Sequence, residues 1–202
     1  MSKKESYIET WFKIIISEEF PEINDELLEK YSNIKEKIFS ENQNASKELM
    51  MHLESQIVPA IAMYQTLISH MEEEKLYNLI HEIVHTHAIE KRKSFEKILK
   101  IPFMYSLVPT IFRKVANKSF NENAGFKKKD ISVSKKIWRI DMIKCPYKDF
   151  MTKYNCPNLC QCFCDSDDTV YEGLHKNLIW ERTKTLGRGN DCCDFCIKLK
   201  NN

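Results

Sequence analysis

The sequence contains few residues that break helices and no segment of low complexity. Only four glycines and six prolines occur in 202 residues. These two residue types most often interrupt regular structure, so long helices are expected and a flexible linker between domains is not. We therefore expect residues 1–202 to form a single domain.

Long apolar runs and an excess of charge of one sign are also missing. The longest apolar stretches, such as residues 57–63, are far shorter than the roughly 20 residues of a membrane-spanning helix. The N-terminal residues lack the apolar core of a signal peptide, so we expect a cytoplasmic protein with no membrane partner. A formal charge of +2, from 31 basic and 29 acidic residues, gives no overall attraction to nucleic acid or anionic lipid. Any partner must therefore be recognised by a local site.

Apolar residues recur at helical spacing through the first two thirds of the chain. The pattern predicts a series of helices, over residues 7–18, from a cap at Asn24 or Asp25, and over residues 45–71, 73–99 and 101–120. Pro59 should kink the third of these helices or start a new one, because proline has no amide donor. Residues 1–120 are thus expected to be the helical part.

After a Lys- and Asn-rich loop predicted at residues 118–129, the apolar period changes to two. Trp138, Ile140 and Met142 alternate with polar residues, as in a strand with one buried face. Two further helices are predicted over residues 146–154 and 166–175, the second capped by Asp165 or Ser166. A strand over residues 178–186, turn residues 187–190 and a strand from Cys193 to Leu199 follow. We predict an α+β fold, in which mostly helical N-terminal two thirds pack with a small antiparallel sheet from the Cys-rich residues 131–202.

All eight cysteines lie at or beyond residue 145, at positions 145, 156, 160, 162, 164, 192, 193 and 196. A disulfide framework is not expected, because the chain has no export signal and has a helical body that can bury apolar surface. Cys193 and Cys196 form a C-x-x-C pair, but residues three apart on a strand face opposite sides and cannot share an ion. Cys164 precedes Asp165, Asp167 and Asp168 at a predicted helix start, where the helix dipole favours a thiolate. Burial as a small apolar residue is the alternative for each cysteine.

His81-Glu82-Ile83-Val84-His85 matches the H-E-x-x-H motif of zinc peptidases. On a helical wheel the two histidines fall at the edge of the apolar stripe and behind it. A catalytic zinc ion also needs a third protein ligand, and no pattern downstream supplies one. We interpret the motif as a solvated helix face.

The end of the chain resembles a known family. Residues 181–189 read ERTKTLGRG, an R-T-x-T-L run followed by a glycine turn, and Cys193-Asp194-Phe195 comes next. Together with Cys145 and the segment Cys164-Asp165-Ser166-Asp167, these residues resemble the signature of the L-2-amino-thiazoline-4-carboxylic acid hydrolase family. A Pro-Ala-x-x-x-Tyr element at residues 59–64 is similar as well. The resemblance spans roughly residues 55–198.

The resemblance implies a hydrolase that opens a small five-membered cyclic amidine bearing a carboxylate to a carbamoyl amino acid. The substrate is then a small molecule, and no cofactor is expected. Arg182, followed by Thr183 and Thr185, is the predicted binding site of the substrate carboxylate. Asp167 or Asp194 is predicted to bind the amidinium group.

The same reaction needs a nucleophile at the amidine carbon. The Cys164 thiolate is the first candidate and Cys193 the second, with a water molecule activated by a carboxylate as the third possibility. A purely structural interpretation of Asp194 is that it caps a turn.

Two other classes of function are open. One is a non-catalytic module that binds a small molecule or a soft metal such as zinc, with Cys145, Cys164 and Cys193 as ligands. The other is a helical interaction protein with an inert tail. The sequence leaves the oligomeric state open.

Overall fold

In the computed structural model, which describes residues 5–200, the N-terminal part folds into a series of helices. They are α1 (Tyr7–Glu19), α2 (Asn24–Glu41), α3 (Lys47–His52), α4 (Val58–Leu67), α5 (Glu73–Leu99) and α6 (Val108–Ser119). The side chains of Ser6 and Ser46 cap α1 and α3. The predicted cap at Asn24 or Asp25 is wrong, because the short 3₁₀ turn of residues 21–23 leads into α2 without a side-chain cap.

The break predicted near Pro59 is confirmed. Leu53–Ile57 form one π-helical turn between α3 and α4, and Pro59 lies in the first turn of α4. Proline is tolerated best in the first turn of a helix, because it has no amide donor. The helix predicted over residues 101–120 is likewise divided, into a 3₁₀ helix at Met104–Leu107 and α6.

Helix α4 is the centre of the helical part. Eight of its ten residues are buried, and α1, α2 and α5 all pack against it. Phe12 of α1 stacks on Tyr31 of α2 with ring centroids 4.2 Å apart, and Leu76 and Ile80 of α5 are fully buried. A helix that is apolar on every side is stable in water only when other helices surround it in this way.

The C-terminal part contains four antiparallel strands in the order β1-β2-β4-β3. The strands are β1 (Lys127–Val133), β2 (Ile137–Lys144), β3 (Leu178–Glu181) and β4 (Cys193–Leu199). Trp138, Ile140 and Met142 are buried on one face of β2, as predicted. Ile140 pairs with Phe195 of β4 in the central register. The α+β fold, with a small antiparallel sheet in the C-terminal third, is confirmed.

Three predicted boundaries in this part are wrong. The strand predicted over residues 178–186 ends at Glu181, and Leu186–Arg188 form a 3₁₀ turn. The predicted loop at residues 118–129 ends earlier, because β1 begins at Lys127. The helix predicted over residues 166–175 is in fact α8 (Leu159–Tyr171), which follows α7 (Pro146–Lys153).

The two parts of the chain share one hydrophobic core. Buried side chains of the N-terminal helices, of α8 and of the sheet belong to the same cluster, and α5 packs along α8. This packing brings one face of α8 between the helical part and the sheet. Within residues 5–200 no helix combines the length and apolar character that crossing a bilayer requires.

Candidate active site

Helix α8 carries four thiol or carboxyl side chains on one face. Cys160, Cys164, Asp167 and Asp168 follow one another at intervals of four, three and one residues, which places them along the same side of a helix. Because α8 begins at Leu159, Cys164 lies beyond its first turn. The predicted helix start at Cys164 is therefore wrong, and the helix dipole, whose effect falls off within the first turn, does not activate this thiol.

A buried arginine crosses to this face from the end of β3. The side chain of Arg182 is 1% exposed. Its Nη2 donates to the Cys164 carbonyl oxygen at 2.7 Å and to Asp168. Its Nη1 lies 3.5 Å from Asp167 Oδ2, and the guanidinium stacks over the Phe195 ring, 5.5 Å from its centroid. The buried cation is thus compensated by two carboxylates of the protein itself.

Four thiols lie next to this charge cluster. Cys160 hydrogen-bonds Cys145 and Cys164, and Cys193 hydrogen-bonds Cys164. Consecutive backbone amides hold the two central sulfurs: Leu186 N donates to Cys193 Sγ at 3.1 Å, and Gly187 N donates to Cys164. All eight cysteines of the chain are free thiols.

These hydrogen bonds favour a thiolate at Cys164. Donation from the Cys160 and Cys193 thiols lowers the pKa of Cys164, with further contributions from Arg182 and the Gly187 amide that together outweigh the opposing effect of burial. The two donor thiols keep their protons, so the pKa values of Cys160 and Cys193 are raised. Within this cluster of thiols, Cys164 is therefore the one that favours the thiolate form.

Gly187 makes the approach of its amide to the Cys164 sulfur possible. A Cβ atom at this position would lie 2.9 Å from Cys164 Sγ and 3.3 Å from the backbone nitrogen of Gln161. Packed carbon atoms are most stable at about 3.5–4.0 Å, so any side chain here would push the sulfur away. The glycine turn of the sequence is thus a contact point of the thiol cluster.

A small cleft opens beside the charge cluster, between α6, α8 and the sheet. Its volume is about 140 Å³, below the range of about 300–1,000 Å³ typical of sites for drug-sized ligands. The walls are apolar and largely aromatic, with Phe112, Trp138, Trp180 and Phe195 among them. Among the described residues that line the cleft, Asp167 is the one that carries a carboxyl group.

The surroundings of Asp167 make it a weaker acid than an ordinary aspartate. Its side chain is 38% exposed and lines the apolar cleft, where a carboxylate is poorly hydrated. Burial raises the pKa of Asp167 to about 7, against the lowering effect of Arg182 and with a further raising effect of the Cys164 thiolate. A carboxyl group with a pKa near neutrality can both accept and return a proton at physiological pH.

The family model of L-2-amino-thiazoline-4-carboxylic acid hydrolase matches residues 50–197 of this chain. The chain belongs to this family. The match covers the thiol cluster, the buried arginine and the cleft. Comparisons with curated proteins and with solved structures gave no match.

The signature residues that suggested this hydrolase family fall into two groups in the fold. Cys164, Asp167 and Arg182 come together, and Cys193 and Cys145 complete the thiol cluster around them. The expectation that Arg182 binds a substrate carboxylate does not fit its placement, because its guanidinium is buried and already paired with Asp167 and Asp168.

The other predicted site residues, Thr183, Thr185 and Asp194, lie between the end of β3 and the start of β4, with Asp194 in β4 itself. Asp194 accepts from the Thr183 and Lys184 amides at 2.8 and 2.6 Å and from the Thr183 hydroxyl at 2.6 Å. Thr185 is 2% exposed, and its hydroxyl accepts from the Arg188 amide at 3.1 Å. These contacts match the structural interpretation in which Asp194 caps a turn.

Sequence reasoning missed two members of the cluster, Cys160 and Asp168. Asp168 accepts from Arg182 and from Trp180 Nε1, the latter at 2.9 Å. The signal for both was their spacing from Cys164, at four residues on either side. It was not recognised because the predicted helix began after Cys164.

The H-E-x-x-H histidines of α5 do not point to solvent as predicted. They are directed at α8, where His81 Nε2 lies 3.4 Å from Asp165 Oδ2 and His85 Nδ1 lies 3.0 Å from Thr169 Oγ1. Within residues 5–200, no group of three or more His, Cys, Asp or Glu side chains has the geometry to hold a metal ion. This applies to the histidine motif and to the C-terminal cysteines alike.

A larger open cleft, of about 620 Å³, lies elsewhere on the surface. Tyr64, Glu73 and Tyr77 are among its lining residues, and none of the family signature residues of the C-terminal part reaches it. We therefore take the small aromatic cleft beside Asp167 as the candidate active site.

Proposed function

We propose that this chain hydrolyses a small cyclic amidine, such as 2-amino-thiazoline-4-carboxylate, to a carbamoyl amino acid. Membership of the hydrolase family supports the class of reaction. The observation that carries the proposal is the carboxyl group of Asp167, with a pKa near 7, on the wall of a small aromatic cleft.

The cleft suits the ring of the substrate in size and its amidinium group in charge. A volume of about 140 Å³ admits a five-membered ring with small substituents and excludes a peptide. A protonated amidine is a planar cation, and cations of this kind are attracted to the faces of aromatic rings. Ionised Asp167 then pairs with the amidinium group and fixes the ring in the cleft.

Water is the nucleophile that this geometry favours. Asp167 lines the cleft, whereas the Cys164 sulfur lies behind it, against the Gly187 amide. Asp167 takes a proton from water as the oxygen bonds to the amidine carbon. The tetrahedral intermediate then collapses: Asp167 returns the proton to the departing ring atom, and the added hydroxyl group loses its proton to solvent as the carbamoyl C=O forms. Cleavage of the ring C–S bond gives the N-carbamoyl product, and cleavage of the ring C–N bond gives the S-carbamoyl product.

Arg182 and Cys164 act through Asp167 in this mechanism. Arg182 is a positioning residue, because its guanidinium holds Asp167 and Asp168 on the same side of α8. The thiolate of Cys164 raises the pKa of Asp167 and so brings it closer to the value of an efficient general base at neutral pH. Direct attack by the thiolate is the alternative route.

The test is turnover of 2-amino-thiazoline-4-carboxylate by purified protein, followed as kcat/KM against pH. For the wild-type chain, kcat/KM should rise with pH and level off above about 7. Asp167→Asn should lower kcat/KM by about 10²–10⁴-fold, the usual contribution of a general base. Cys164→Ala should keep activity and move the rise to lower pH, because a negative charge beside Asp167 is removed.

Asp191→Asn is the matched control, since Asp191 is exposed and forms its ion pair with Lys184, outside the cleft. Its kcat/KM and pH profile should equal those of the wild-type chain. The thiolate route would be established instead by two results: loss of activity in Cys164→Ala, and a covalent substrate adduct on Cys164 of the wild-type chain detected by mass spectrometry. Binding of the amidine without any turnover would point to the non-catalytic module.

A further inference from the structure

The segment from residue 97 to residue 118 exposes apolar and basic side chains side by side. Six large apolar side chains are 42–77% exposed: Ile98, Ile101, Phe103, Leu107, Ile111 and Val115. Five basic side chains are also exposed: Lys97, Lys100, Arg113, Lys114 and Lys118. We refer to these residues together as the basic–apolar surface. Exposed apolar side chains that occur in such a group, rather than singly, mark an interaction site.

The secondary structure brings the members of this surface together. On α6, Ile111, Lys114, Val115 and Lys118 recur at helical spacing and share one face. A compact turn joins this helix to the end of α5, with hydrogen bonds from Met104 N to Ile101 O at 3.2 Å and from Ser106 N to Phe103 O at 3.0 Å. Phe103 lies in this turn with a left-handed backbone, φ 64°, and is 77% exposed.

The positive charge of the surface is not neutralised locally. Residues 97–121 contain no aspartate or glutamate. Among residues 5–200, none of the five basic side chains forms an ion pair. The whole chain carries a formal charge of only +2, so this segment is far more basic than the molecule as a whole.

We propose that the basic–apolar surface binds the surface of an anionic lipid bilayer. Peripheral binding of this kind combines apolar side chains that enter the boundary between headgroups and acyl chains with lysine and arginine that pair with anionic headgroups. Phe103, Ile101 and Leu107 supply the first component, and the uncompensated basic residues supply the second. The expectation of no membrane partner rests on the short apolar runs, the N-terminal residues and the charge of the whole chain, whereas this argument rests on a local surface.

A bilayer explains the surface better than a protein partner does. A second copy of the chain would place the uncompensated lysines of this surface against the same lysines, because the same patch faces itself in a two-fold dimer. Partner proteins are bound mainly by side chains packed in well-fitted pockets, while the apolar side chains here project outward. The acyl boundary of a bilayer accepts projecting side chains without a complementary pocket.

The surface is continuous with the small aromatic cleft. Ile111 and Val115 belong to both. When the protein is bound to a bilayer through this surface, the mouth of the cleft would therefore lie at the lipid interface. The proposal does not depend on amidine hydrolysis, and its test uses binding alone.

The test is sedimentation of the full chain with lipid vesicles. Vesicles of phosphatidylcholine with about one quarter phosphatidylserine should bind the protein, and vesicles of phosphatidylcholine alone should bind it much less. Neutralisation of two basic residues in Lys114→Gln/Lys118→Gln should weaken binding to the anionic vesicles about 25-fold, since each basic residue near such a surface contributes about fivefold. Higher salt should weaken binding as well.

Lys37→Gln/Lys75→Gln is the matched control, because both lysines are exposed, Lys37 on α2 and Lys75 at the opposite end of α5 from Lys97. It should bind like the wild-type chain. In Phe103→Trp, insertion of the side chain should shift the fluorescence of the added tryptophan to shorter wavelength on anionic vesicles. Three results would each overturn the proposal: equal loss of binding in both double variants, no fluorescence shift in Phe103→Trp, or no binding to anionic vesicles. Capture of an acidic protein by this surface, in place of vesicles, would overturn it as well.

Discussion

Replacement of Gly187 by alanine tests whether the glycine turn really touches the thiol cluster. The φ of Gly187 is not left-handed, so alanine fits the backbone and would by itself stabilise the fold by about 0.4–1 kcal/mol. The new Cβ, however, would lie 2.9 Å from Cys164 Sγ, about 0.6 Å inside the favourable contact distance of about 3.5 Å. Overpacking of this kind costs about 1–3 kcal/mol.

The sulfur can relieve this contact only by turning away from its partners. That movement breaks the hydrogen bonds of Cys164 with the Gly187 amide and Cys193, each of which contributes about 1 kcal/mol net. We expect Gly187→Ala to lower the free energy of unfolding by about 2 kcal/mol. For a chain of this size the midpoint of thermal unfolding should fall by about 4–8 °C.

Urea unfolding of a double-mutant cycle isolates the contact. In the Cys164→Ala background the sulfur is absent, and the cost of Gly187→Ala should fall by about 2 kcal/mol, the contribution of the two hydrogen bonds. The close backbone atoms of Gln161 and Cys160, at 3.3 and 3.4 Å from the Cβ position, then offset the stabilising effect of alanine on the backbone. An equal cost in both backgrounds would refute the contact.

Gly189→Ala is the control for the cycle. Gly189 lies two residues away with φ 83°, and no atom lies within 4 Å of its Cβ position. Its replacement should cost about 1 kcal/mol from the left-handed backbone alone, with the same value whether residue 164 is cysteine or alanine.

Two further predictions concern the buried charges. Arg182→Met should lower the free energy of unfolding in urea by about 3 kcal/mol, because it leaves Asp167 and Asp168 without their cation; a loss below about 1 kcal/mol would contradict the buried pairing. Asp167→Asn should change the pH dependence of stability. In the folded wild-type chain the pKa of Asp167 is raised from 3.8 to about 7, so between these pH values the folded state retains a proton that the unfolded state releases. The wild-type chain should therefore lose stability as pH rises from about 4 to 7, and its stability should then level off. Urea unfolding across this range should show a smaller loss for Asp167→Asn, and identical slopes for both proteins would contradict the raised pKa.

The local pattern of the sequence predicted most of the helices and the central strands. The apolar stripe of residues 73–99 corresponds to α5, and the alternation at Trp138, Ile140 and Met142 gives the buried face of β2. These features depend on side chains close in sequence, whose spacing reports directly which face is buried. The family could be predicted from the sequence for the same reason, because its R-T-x-T-L and C-D-F motifs are short and contiguous.

The pairing of the site residues could not be predicted in this way. Asp167 and Asp194 were both candidates for the amidinium, and no local pattern distinguishes them. In the fold, Asp167 lines the cleft while Asp194 caps a turn. The start of α8 was also missed, because the thiols of its first turns carry no strong capping signal.

The sequence by itself thus determined the helical body, the alternating strands, the hydrolase family and the set of polar residues available for chemistry. The tertiary structure decided which of them meet: it buried Arg182 against Asp167 and Asp168, held Cys164 between two thiols and the Gly187 amide, and left one carboxyl group facing an aromatic cleft. The physical reason is that the pKa of a side chain depends on burial and on neighbours within a few ångströms. Those neighbours come here from α8, the end of β3 and the turn before β4, which only long-range packing brings together.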